Sequence, residues 1–549
     1  MKRSIHFLAA AALIVAAASC SSVGKMAELA DNVNVKCTPA VLEAVAGTVP
    51  ADVTVTYPKN YFHPKAILEV TPVIVYEGGE VAATPLMYQG EKVKDNYKPV
   101  AKSGGIVNEK IVFPFKPGME QSHMELRGTV RYKTKTYTLP VKKVADGVNT
   151  TYMLVDADGD LPLKADGYQA IIKQTEEGQI LYNVNSAEVR NGQINGQSIK
   201  NFQKALDEIG SNARKTLVGT EVVAYASPEG GEKLNQKLSD NRSKSADKAW
   251  DKVMKNRDIA DPEVKSVGQD WEGFQELVQN SDLEDKDLII RVLSMYSDPA
   301  VRESEIRNMS SVFTDLKKSV LPELRRARFI ANVEYKNYTT DELLALVDEN
   351  VDVLDEPALL HAATLVKDLK SKVKLYQKAI DKYGSDAARF NLGATYLDNG
   401  DIENAKKAFS TVKRKDADLE NALGVIALRE GDLETAYSHF KKSGTNTAKQ
   451  NMGVVDILSG DYAKAVKDIK DTKGCCKLIG LANLLNGDLE GSLKSMHCND
   501  ASCNYIRAIV AARQGNATDV KKYLDLVAKD DPELAARAEK DVEFAGYTW

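Results

Sequence analysis

Residues 222–242, VVAYASPEGGEKLNQKLSDNR, hold the polar side chains whose spacing most suggests chemistry. An apolar strand candidate, residues 222–226, breaks at Ser227-Pro228-Glu229-Gly230-Gly231. There Pro fixes φ, and two glycines admit positive φ. A helical pattern follows, with Asn235, Leu238, Ser239 and Arg242 at i, i+3, i+4 and i+7 on one face. The turn supplies free backbone N–H groups and a helix N-terminus, and Arg supplies a planar fork for a carboxylate. This is the geometry of a shallow binding site, with no evident nucleophile.

Catalytic alternatives find little support. The six histidines, at 6, 63, 123, 361, 439 and 497, lie far from one another in sequence. There is no H-E-x-x-H, G-x-S-x-G, P-loop, or G-x-G-x-x-G between strand and helix. The expectation is a protein that is not an enzyme and needs no cofactor. A net charge of −5 argues against a nucleic-acid footprint. The 549 residues exceed one core, and 28% charged with 43% hydrophobic residues is ordinary globular composition.

The elements around the site follow from periodicity. A helix over residues 199–209 places Phe202, Leu206 and Ile209 inward, and residues 268–321 read as helical, with Trp271 as a core anchor. Strand, short turn and N-x-x-L-S-x-x-R resemble the OmpA-like domain that binds peptidoglycan. ILYNVNSAEVR at 180–190 resembles that family's first strand, and LPELRRARFIANVEY at 321–335 its closing helix and last strand. The resemblance spans 168–337, with an insertion before the final strand. It implies an α/β fold and a site for the stem peptide's diaminopimelate, built from Ser227, Glu229, Asn235 and Arg242. The family's Asp falls at Ser227, so either Glu229 supplies the carboxylate for the ligand's ammonium or the site has drifted from wall binding.

At the N-terminus, Lys2 and Arg3 precede an apolar run and Ala17-Ala18-Ser19-Cys20. This reads as a signal peptide over 1–19. Small residues before Cys resemble the bacterial lipobox, which implies lipidation at Cys20, a tether over 20–30, and an outer-membrane anchor on the periplasmic face. Residues 31–150 alternate with period two, for example at 53–57, 66–70, 73–76 and 111–115. They suggest an all-β, immunoglobulin-like sandwich. Residues 151–167 are acidic and Gly-rich. Asp156, Asp158 and Asp160 alternate as in calcium loops, but Leu161 and Gly167 stand where such a loop needs Gly and Glu, so a linker is the expectation.

Residues 338–549 are helical. Small residues recur at Gly393, Gly424, Gly453, Gly480 and Ala508, and turns at Gly400, Gly431, Gly460, Gly487 and Gly515. Both series step by about 30 residues, Gly ends the first helix of each pair, and Asp or Asn caps the second. The pattern resembles tetratricopeptide repeats, an all-α solenoid whose concave face implies protein partners, with an outer-membrane β-barrel complex one candidate. Cys475, Cys476, Cys498 and Cys503 cluster here. One disulfide is expected, Cys476 with Cys498 or Cys503 being plausible, and zinc thiolate binding is the alternative.

Overall fold

The computed structural model describes residues 23–474 and 476–549, with only backbone for Ser310 and Ser311. The signal peptide, Cys20 and Cys475 lie outside the described residues. The chain divides into two compact units, residues 1–164 with 384–549, and residues 165–383. Among the described residues, no helix is long and apolar enough to cross a membrane.

In the first unit eleven strands form two sheets. They are β1 (Asn34–Thr38), β2 (Val41–Glu43), β3 (Thr48–Tyr57), β4 (Ile67–Tyr76), β5 (Gly79–Ala82), β6 (Leu86–Gly90), β7 (Lys98–Val100), β8 (Gly105–Pro114), β9 (Ser122–Tyr132), β10 (Lys135–Thr138) and β11 (Lys142–Asn149). One sheet runs β1-β3-β8. The other runs β2-β11-β9-β4-β6-β7, with β10 on β9 and β5 on β4. Alternation sends Val49, Ala51, Val53 and Val55 of β3, and Met124, Leu126 and Val130 of β9, into one core. Two parallel pairs, β2 with β11 and β6 with β7, depart from the simple antiparallel sandwich that the alternation suggests.

Five helix pairs follow, from Asp386–Asp398 with Ile402–Ser410 to Ala501–Arg513 with Ala517–Asp530. Their repeat signature has a direct steric cause. A Cβ on Gly393 would lie 2.7 Å from the Phe409 ring, on Gly424 2.5 Å from Phe440, and on Gly453 2.3 Å from Ile469. At these positions only glycine lets the second helix of the pair approach so closely, and the fifth pair carries Ala508 there instead. Asp401, Asp432, Asp461 and Asp488 each accept a backbone N–H at the following helix start. The repeats are tetratricopeptide-like in form. They share their core with the sheets, and cross-links such as Asn149 Nδ2 to Glu543 Oε1 at 2.7 Å join the two.

The second unit holds β12 (Ile171–Leu181), β13 (Lys215–Ala226), β14 (Glu263–Gln269) and β15 (Arg326–Lys336), in the order β12-β15-β13-β14. Helices Gln197–Ser211 and Glu232–Val253 bury Phe202, Leu206 and Trp250 with Val222, Ala224 and Phe329 of the sheet. β14 pairs parallel to β13 and was not legible as a strand, because it is a polar sheet edge with one buried residue. The expected first strand at 180–190 lies earlier in the chain, since β12 ends at Leu181. Four helices between Trp271 and Ser319 form their own small core around Phe274, Val278, Ile289, Leu293 and Leu316. Residues 338–383, expected with the repeats, cluster with this unit. Arg214 Nη2 lies 2.8 Å from Glu342 Oε1, and Tyr168 stacks on His361 at 4.6 Å.

Candidate functional site

Residues 227–231 form the turn between β13 and the Glu232–Val253 helix. Asn235, 3% exposed, donates through Nδ2 to the carbonyls of Ser227 (3.1 Å) and Gly230 (2.6 Å). Ser239 Oγ accepts from Gly268 N at 3.0 Å, which ties the helix to the end of β14. The helical face thus adds donors to the turn, whose Ser227 and Gly230 carbonyls also accept from Glu229 N and Gln269 Nε2.

Arg242 is fully buried. Its Nε donates to Ser186 O (3.0 Å), Nη1 to Tyr225 O (2.9 Å) and Nη2 to Asn183 O (3.2 Å), and the guanidinium lies over the Tyr182 ring. Burial pulls its pKa down to about 10, so it stays cationic at neutral pH. All three nitrogens are committed to backbone carbonyls.

Ser227, Glu229, Asn235 and Arg242 line one cavity of 450 Å³. Ser227 Oγ donates to Glu229 Oε1 at 2.9 Å, and Arg325 Nε meets the same oxygen at 2.9 Å. The carboxylate therefore stands in the pocket, held by Ser227 and neutralised by Arg325. The helical insertion adds Arg307, Phe313 and Lys317 to the wall, with Arg307 Nη2 donating to the Glu229 carbonyl. Spacing gave no hint of these groups, which belong to a different element. The adjacent arginine turns the other way: Arg326 Nη2 lies 2.8 Å from buried Asp270 Oδ2, and Asp270 Oδ1 caps the next helix at Gly273 N. Trp271 packs edge-on against Phe274 at 5.6 Å, in keeping with a core anchor.

A second feature lies in the first unit. The stretch read as a linker runs as a strap along the first helices of the repeats. Asn451 accepts from Asp160 N (2.8 Å) and donates to Asp160 O (2.9 Å), and Asn421 Nδ2 donates to the same carbonyl at 3.0 Å. One step along, Asn391 accepts from Lys164 N (2.7 Å) and donates to Lys164 O (3.0 Å). These asparagines are 1–2% exposed and meet the strap through its main chain, with Asn451 Nδ2 also donating to Asn421 Oδ1 at 3.0 Å. Lys164 Nζ closes the end on Asp416, at 2.8 Å, and Asp418. Gly159, at φ +73°, lies against Val425 and Leu428. Asp160 of the alternating Asp series is thus bound by its backbone.

Cys498 and Cys503 form a disulfide with Cα atoms 6.3 Å apart, in place of the expected bond to Cys476. Cys476 Sγ lies 2.9 Å from Cys498 Sγ, and the three sulfurs lie within 4.8 Å of one another.

No family model matches the chain, and no curated protein matches it. Two of the similar solved structures are described as TPR proteins. The Cut9–Hcn1 hetero-tetramer of the APC/C is 13% identical, with a TM-score of 0.31, over 56% of this chain and 74% of that one. YrrB, a TPR protein with an unusual peptide-binding site, is 17% identical, with a TM-score of 0.20, over 37% of this chain and 100% of that one. TTC0263, a thermophilic TPR protein of Thermus thermophilus, is 15% identical, with a TM-score of 0.22, over 38% and 99%.

Proposed function

We propose that the chain is a non-enzymatic outer-membrane lipoprotein, anchored through Cys20 and facing the periplasm, that joins the cell wall to protein partners. The α/β domain is OmpA-like and takes a peptidoglycan stem peptide in the pocket of Ser227, Glu229, Asn235 and Arg242. The supporting observation is that these four residues line one cavity. Ser227 and Arg325 both hold Glu229 Oε1, which leaves Oε2 uncommitted among the described residues for a ligand ammonium. The repeats recruit a protein partner, for which an outer-membrane β-barrel complex is a candidate. Because the strap fills part of the row of first helices, that partner meets the remaining faces of the repeats.

Co-sedimentation with isolated sacculi tests this. The intact chain pellets with the wall, and Glu229→Gln lowers the pelleted fraction. A wild-type protein that stays in the supernatant overturns wall binding. A second reading then takes its place, an accessory subunit of an assembly or secretion complex whose α/β domain is a protein contact. The commitment of Arg242 to three carbonyls favours that reading.

A further inference from the structure

In the OmpA-like resemblance, the helix arginine captures a ligand carboxylate. Here that arginine has its three nitrogens on the carbonyls of Asn183, Ser186 and Tyr225, with no exposed surface. Moving it to a ligand would break three hydrogen bonds made by its guanidinium, which is costly. Arg242 therefore positions the pocket wall. A carboxylate entering the cavity meets other cations first.

Those cations come from the insertion and from the approach to β15. Arg307 and Lys317 line the cavity from separate helices, Pro299–Asn308 and Ser310–Ser319, and both are exposed. Arg325 completes the group, 11% exposed at its side chain. Lys317 Nζ lies 4.7 Å from the Phe313 ring centroid and has no carboxylate partner among the described residues. Arg307 pairs with Glu303 at 2.6 Å, outside the cavity lining, while reaching the Glu229 carbonyl. Lining the cavity, four cations thus face one carboxylate, Glu229, which Arg325 already neutralises. A zwitterion with balanced charge is poorly matched to such a wall; a ligand with two or more carboxylates is well matched.

We infer that the pocket selects a multiply carboxylated ligand, and that Arg307 and Lys317 of the helical insertion, rather than Arg242, determine that selectivity. The source of such a ligand, a stem peptide with free carboxylates, rests on the wall-binding reading above.

The test is calorimetric titration of the full chain with two probes. One is a soluble stem peptide ending in diaminopimelate with all carboxylates free; the other is the same peptide with its carboxylates amidated. The free form binds about tenfold or more tightly, the effect of losing one charge-assisted hydrogen bond, and its affinity falls as salt rises. Arg307→Gln with Lys317→Gln removes the difference between the probes and leaves the thermal transition in place, since both side chains are exposed. The single reversal Lys317→Glu provides the same comparison with one site changed. Equal binding of the two probes, or a preference untouched by both variants, overturns the inference. If that happens while sacculi still pellet the protein, wall binding stands and only the selectivity falls. If the free peptide binds selectively but sacculi do not pellet the protein, the selectivity stands and wall attachment falls.

Discussion

Replacing Asn451 by Ala strips the strap of its firmest hold. The wild-type amide accepts from Asp160 N, donates to Asp160 O and also donates to Asn421 Oδ1. Truncation leaves the exposed Asp160 N–H to water in place of its protein acceptor, which costs about 1 kcal/mol, and removes a further bond of about 1 kcal/mol at its carbonyl. The carbonyl keeps Asn421 as a donor. Strap closure should therefore weaken by about 2 kcal/mol, which speeds amide exchange at Asp160 roughly 30-fold. Hydrogen exchange read by mass spectrometry over residues 156–166 measures this. Unfolding of the repeats should move far less, because strap opening is local. Asn421→Ala is the internal comparison: it removes one donor to Asp160 and spares both bonds from Asn451 to Asp160, so exchange should rise only about tenfold or less. Unchanged protection in Asn451→Ala, or a larger effect from Asn421→Ala, would refute the clamp.

Gly424→Ala should destabilise the repeats by about 1–3 kcal/mol, because the added methyl would lie 2.5 Å from the Phe440 ring; thermal denaturation reads this. Asp270→Ala should cost about 3–5 kcal/mol by leaving Arg326 buried without its partner, and pairing it with Arg326→Met should recover much of the loss in urea unfolding. Asp456 is 2% exposed, and burial pushes its carboxyl up to about 6. The folded state then holds that proton more tightly than the unfolded chain, so the group's contribution to stability is greatest below about pH 4 and is lost as pH rises to about 6. Asp456→Asn should flatten that decline in a pH series of melting temperatures.

The repeats were legible because their cause is local: each glycine faces an aromatic or aliphatic side chain of its own pair, and each Asp caps the helix it precedes. The alternating strands of the N-terminal region were legible for a similar reason, whereas short or polar strands such as β2, β7 and β14 carry too little burial to show a period. The strap shows the opposite case. Asn391, Asn421 and Asn451 are plain in the repeat strings, yet nothing near them in sequence says that residues 160 and 164 will lie alongside. A peptide held by its backbone leaves little signature in its own side chains, and an acidic, Gly-containing stretch looks like a linker whether it is free or clasped.

The pocket separates two roles that one motif can suggest together. Asn235 and Arg242 share a helical face and both bond backbone carbonyls, Asn235 those of the turn and Arg242 those of Tyr225 in β13 and of Asn183 and Ser186 after β12, with or without a ligand. Their spacing therefore identifies how the turn is built more firmly than what it binds. The charges that can distinguish one ligand from another come from Glu229, from Arg325 ahead of β15, and from Arg307 and Lys317 on two insertion helices. Apart from Glu229 these groups have no fixed spacing from the motif, and Arg325 and Lys317 can change sign without touching the bonds from Asn235 that hold the turn. Substituting Ser for a carboxylate at position 227 thus removes charge without dismantling the site, because its hydroxyl still orients Glu229. On the wall-binding reading proposed above, the shape of the pocket belongs to the helix and turn, and its preference among ligands to Glu229, Arg325, Arg307 and Lys317.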